Sequence, residues 1–100
     1  MSGRPSWEAT ILREYAKKLA TLDEDEKAAQ LYAESMMKWK LSANRPAEAK
    51  TAIMVATFYA ENGNKKQALA YYNHASVIWQ KLGETGQIKN IEDHMKNLAN

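Results

Sequence analysis

Displaced by 40 residues, the chain meets itself at Ala16 and Ala56, Ala20 and Ala60, Ala28 and Ala68, Tyr32 and Tyr72, and Trp39 and Trp79. Small residues recur where two helices must approach closely, and bulky aromatics recur where the gap between hairpins must be filled. A period of this length points to stacked helical hairpins, with a plain antiparallel bundle as the other arrangement such residues allow. One hundred residues hold a single domain, 1–100, with one modest core.

Apolar residues fall at helical spacing in five stretches, and the strict alternation of a strand is hard to find, so the chain is predicted to be all-α. The first helix is expected from about Ser6 to Thr21, burying Ala9, Leu12, Ala16 and Leu19. The second begins at Asp23, where Asp23 and Glu26 have capping-box spacing, and turns Ala28, Leu31, Tyr32, Ser35 and Trp39 inward. Pro46 opens a third helix that buries Ala49, Ala52, Val55, Ala56 and Tyr59 and stops near Asn62, where Gly63 can take the left-handed conformation. After Asn64 as cap, the fourth runs from about Lys65 to Leu82 with Ala68, Tyr71, Tyr72, Ala75, Ile78 and Trp79 inward, until Gly83 and Gly86 interrupt it. The fifth, about Gln87 to Leu98, buries Ile88, Ile91, Met95 and Leu98 and is polar elsewhere, as a terminal cap should be. The aromatic residues Tyr15, Tyr32, Tyr59, Tyr72, Trp39 and Trp79 are read as packing.

Composition removes several functions. Lys and Arg number 14 against 12 Asp and Glu, a net charge of +2, well short of the field that nucleic acid binding needs. No cysteine is present, so disulfides, thiolate metal sites and thiol nucleophiles are excluded. His74 and His94 have no acidic or histidine partner at ligand spacing, and no serine stands in a triad pattern, so no metal, cofactor or catalytic residue is expected and the chain is not read as an enzyme. The acidic run 23–26 suits a helix N-terminus better than a calcium loop. No stretch approaches the length of a membrane span and none has the form of a signal peptide, so a soluble cytoplasmic protein is expected.

The second unit reads Ala52-x2-Val55-Ala56-x2-Tyr59, Gly63 at the turn, then Ala68-x3-Tyr72-x2-Ala75. The first reads Leu12-x2-Tyr15-Ala16-x2-Leu19, Asp23 at the turn, then Ala28-x3-Tyr32-x2-Ser35. Over about residues 9–98 this ordered set resembles the tetratricopeptide repeat, in a variety with longer helices, although the family's first tryptophan and closing proline are missing. The resemblance implies antiparallel helical hairpins stacked as a short solenoid: repeat one at about 7–43, repeat two at about 46–82, and a capping helix at about 87–98.

It also implies a protein-interaction module, an adaptor, scaffold or chaperone-like protein, whose groove is lined by the first helix of each hairpin. The groove candidates are Thr10, Arg13 and Lys17, then Lys50, Ile53, Thr57 and Glu61, then Lys89 and Lys96. Their balance is basic, so the expected partner is a protein or peptide segment of acidic character. Thr57 stands where the family's carboxylate clamp would have Asn, and that specificity is not assigned. The alternative is an assembly module that forms homo-oligomers through its end faces, with Trp7, the Met36-Met37 pair and Trp39 as the candidate patch. Neither nucleic acid nor a membrane is an expected partner.

Overall fold

The computed structural model describes residues 4–99, and these are helical throughout apart from short joints. Five helices follow one another: α1 (Arg4–Thr21), α2 (Asp25–Ser42), α3 (Arg45–Glu61), α4 (Lys65–Leu82) and α5 (Thr85–Ala99). The chain divides into two compact units, residues 1–51 and 52–100, with the division inside α3.

The joints are built alike. Asp23, Ala43, Gly63 and Gly83 all take the left-handed conformation, at φ of 62°, 56°, 78° and 73°, and each stands twenty residues after the last. The residue after each donates its backbone N–H back across the turn: Glu24 to the carbonyl of Leu19 (2.9 Å), Asn44 to Trp39 (3.4 Å), Asn64 to Tyr59 (2.8 Å) and Glu84 to Trp79 (2.9 Å). The left-handed residue itself donates to the carbonyl one position further on, Ala20, Lys40, Ala60 or Gln80. This is the Schellman closure, which satisfies the last carbonyls of a helix. The same residues 24, 44, 64 and 84 then accept the first helical bond of the next helix, from Ala28, Glu48, Ala68 and Ile88. One residue thus ends one helix and starts another.

Two expectations change here. Asp23 belongs to the end of α1, so the Asp23/Glu26 capping box does not form; Glu24 is the N-cap of α2 and makes no side-chain cap bond. Gly86 does not interrupt but lies inside α5, which begins at Thr85. The Asn64 cap is present, its side-chain oxygen accepting from the backbone N–H of Gln67 at 3.2 Å, and Asn44 caps α3 in the same way, accepting from Ala47 at 3.2 Å.

In the first unit α1 packs on α2. Partners meet in reverse order, Lys38 with Glu8 (3.5 Å) and Ser35 donating to the carbonyl of Ala9 (2.7 Å), as two antiparallel helices require. Ala9, Ala16 and Ala28 are fully buried, so the backbones approach with only methyl groups between them. In the second unit the Thr57 and Tyr72 hydroxyls lie 3.3 Å apart and the Tyr59 and Tyr71 rings stack at 5.8 Å, again in reverse order, which sets α3 antiparallel to α4. α5 packs on α4, with His94 tilted against the Tyr72 ring at 5.6 Å.

The repeat is kept in burial as well as in sequence: Ala28 and Ala68, Tyr32 and Tyr72, and Trp39 and Trp79 are buried to the same degree. Phe58 also enters the core, and Tyr59 is only half-buried. Tyr15 departs from expectation. It is exposed, because at its position on α1 no described residue covers the ring.

Two substitutions follow from this geometry. Ala43 carries a Cβ in a conformation that disfavours one, so Ala43→Gly is expected to raise stability by about 0.5–1 kcal/mol in chemical denaturation. The Thr51 hydroxyl is fully buried with no hydrogen-bond partner among the described residues. Thr51→Val, of the same shape, is expected to raise stability by about 1 kcal/mol in the same assay.

Candidate functional site

The predicted groove residues fall into two sets, one in each unit. In the first, α1 presents Thr10, Arg13 and Lys17, and the start of α3 presents Lys50. Lys17 and Lys50 are exposed. Thr10 is half-buried and donates its hydroxyl to the carbonyl of Ser6 at 3.0 Å, the local bond a helical threonine makes to the preceding turn. Arg13 differs from the lysines. Its guanidinium lies over the Trp39 ring, 5.9 Å from the centroid, and its Nε donates to Glu14 at 3.2 Å. Arg13 therefore serves α1–α2 packing before it can serve a ligand.

In the second unit, Ile53 and Thr57 are half-buried and Glu61 is exposed on α3. The Thr57 hydroxyl bonds to the Ile53 carbonyl at 3.0 Å and faces the Tyr72 hydroxyl, so it ties α3 to α4. Lys89 and Lys96 are exposed on α5, seven residues apart and hence on one face. Among the described residues, Lys17, Lys50, Lys89 and Lys96 have no ion-pair partner; the ion pairs join Arg13 to Glu14, Lys38 to Glu8 and Arg45 to the buried Glu48.

Four unpaired, exposed lysines are what the predicted site comes down to. No protein-family model, curated protein or solved structure matches this chain. The site must therefore be judged on its own chemistry.

The clearest local perturbation is aromatic. Burial, and beside it the Tyr59 hydroxyl, push the Tyr71 hydroxyl above its ordinary value. The neutral form is favoured, so whatever stability it contributes is present below the ordinary tyrosine value and lost as pH rises through the raised one. Among the described residues no three of His, Asp and Glu gather closely enough to hold a metal ion, and no helix is long and apolar enough to cross a membrane.

The expected end patch splits. Trp7 and Met37 are exposed, at 66% and 65%, while Met36 and Trp39 lie in the core. A different surface joins Trp7: Ile11 and Tyr15 follow it on α1 at intervals of four residues, and Leu22 stands in the turn just after the helix, all of them exposed. The signal was present in the repeat, since Ile11 aligns with Thr51 and Ile91, but assigning Tyr15 to the core concealed it.

The two basic residues of α1 are expected to behave differently on truncation. Arg13→Ala should lower stability by about 1 kcal/mol, through lost packing and cation–π attraction on Trp39. Lys17→Ala should stay within about 0.5 kcal/mol of the parent, as exposed positions do. Thermal and chemical denaturation of the two variants check the contrast.

Proposed function

We propose that this chain is a helical-repeat interaction module that binds an acidic, carboxylate-bearing segment of a partner protein, acting by binding and not by catalysis. The observation that carries the reading is the set of exposed lysines without an ion-pair partner among the described residues, Lys17 and Lys50 in one unit and Lys89 and Lys96 in the other. A lysine whose ammonium is not engaged within its own chain can meet a carboxylate without first breaking a pair, and such charges steer encounter and select partners. The tetratricopeptide likeness supports the same reading, since the helices that bear these lysines are those the family turns towards a ligand. Arg13 and Thr57 enter as residues that hold the presenting helices on their neighbours, not as primary contacts.

Fluorescence anisotropy with a labelled peptide rich in Asp and Glu, its terminal carboxylate free, tests this. Binding should weaken as salt is raised, because exposed charges are screened. The pairs Lys17→Glu with Lys50→Glu, and Lys89→Glu with Lys96→Glu, should each weaken it at least about tenfold while circular dichroism stays unchanged. Equal binding by the parent and both charge-reversed proteins would refute the assignment.

A further inference from the structure

The exposed apolar residues of α1, continued by Leu22 in the turn after it, whose N–H still donates to the Lys18 carbonyl at 3.2 Å, form one seam. At 3.6 residues per turn, positions 7, 11, 15, 18 and 22 lie within an arc of about 80°. They are Trp7, Ile11, Tyr15, Lys18 and Leu22, with Trp7 66%, Ile11 47%, Tyr15 56% and Leu22 62% exposed. The 40-residue repeat says what this arc is for. Forty residues on, the equivalents of Ile11, Tyr15 and Lys18 are Thr51, Val55 and Phe58, all buried, with Ala47 half-buried and Asn62 exposed at the two ends; eighty residues on they are Ile91, buried, with Gln87, Met95 and Leu98 half-buried. α3 buries the middle of this arc and α5 buries or half-buries its own, whereas α1 leaves the arc exposed.

We propose that the α1 seam docks on the α1 seam of a second copy of this chain, the two helices running antiparallel and crossing near Tyr15. Such a contact is isologous and closes on itself. A head-to-tail arrangement would instead need a second apolar surface of matching extent; among the described residues the other exposed large apolar side chains are Met37 and Leu41 on α2 and Leu69, Val77 and Leu82 on α4, and no four of them share one helix. The antiparallel crossing sets Trp7 against Leu22 of the second copy and Ile11 against the stem of its Lys18. The ammonium of that lysine then reaches the exposed carboxylate of Glu14, one step round the helix from the seam, which also accepts from Arg13 of its own helix at 3.2 Å, and the symmetry makes the contact twice. Glu14 and Lys18 are both exposed in the isolated chain.

The seam exposes on the order of 400–500 Å² per copy, at the upper end for a single patch on a monomer. Twice that area lies below the range of permanent dimers and within that of weak, reversible ones. A dissociation constant roughly in the micromolar range is the consequence. This surface is distinct from the four lysines assigned to an acidic segment, and the inference does not rest on that assignment.

Sedimentation velocity of the full chain over a concentration series is the test. The parent should pass from 11.3 kDa to twice that mass as concentration rises. Ile11→Glu should raise the dissociation constant at least about tenfold, whereas Leu41→Glu, at a more exposed site on α2, should leave it unchanged. Glu14→Lys alone and Lys18→Glu alone should each weaken the dimer, and the two together should restore it, because in a symmetric antiparallel pair the double exchange re-forms both ion pairs. Circular dichroism confirms that each variant is folded. A monomer at every concentration overturns the proposal and leaves the seam to a different protein. A dimer that survives Ile11→Glu, or that the double exchange fails to restore, overturns the seam or its antiparallel geometry.

Discussion

The hydrogen bond that crosses each left-handed joint is the constraint on which the rest of this structure depends. A helix leaves its last carbonyls without partners, and a chain that must reverse direction within three residues has few ways to satisfy them. Here the carbonyls of Leu19, Trp39, Tyr59 and Trp79 accept from a residue already positioned to begin the next helix. Since the joints recur at a constant interval, successive helices emerge with the same phase, and residues 40 apart come to the same side of their hairpins. Without that regularity the matched burial of Tyr32 with Tyr72 and of Trp39 with Trp79 would have no geometric basis.

Packing within each unit follows from that phase. Alanine occupies the lines of closest approach, at Ala9, Ala16 and Ala28 in one unit and Ala56, Ala68 and Ala75 in the other. Large rings fill the wider spaces, and polar bonds are few but directional: Ser35 to the Ala9 carbonyl in the first unit, Thr57 with Tyr72 in the second. Small residues let helices come together without fixing their register, whereas these hydrogen bonds and the Arg13–Trp39 contact do. The division of labour explains why residues first read as ligand contacts, Arg13 and Thr57, are found holding helices together.

The surface left over is of two kinds. Exposed lysines on α1, α3 and α5 offer long-range attraction for negative charge and little affinity of their own. The α1 seam offers the opposite, apolar area with short reach, which is useful only against a surface of complementary shape. The two chemistries fall on different residues, so neither takes up the other's surface.

The sequence by itself determined the number of helices, most of their ends and nearly all of the core. Periodicity and cap chemistry act within a few residues, and Gly63, Gly83 and Asn64 announce themselves locally. It misplaced the start of α2, because Asp is acceptable both as an N-cap and in the left-handed conformation, and only the crossing bond from Glu24 to Leu19 decides between them. It also put Tyr15 inside. A tyrosine at helical spacing looks the same whether or not another helix lies over it, so burial of α1's outer arc could be decided only by which helices fold back onto which. The same holds for Arg13, whose charge was legible in the sequence and whose seat on Trp39 was not: a guanidinium's partner is set by what the tertiary fold brings within a few ångströms of it.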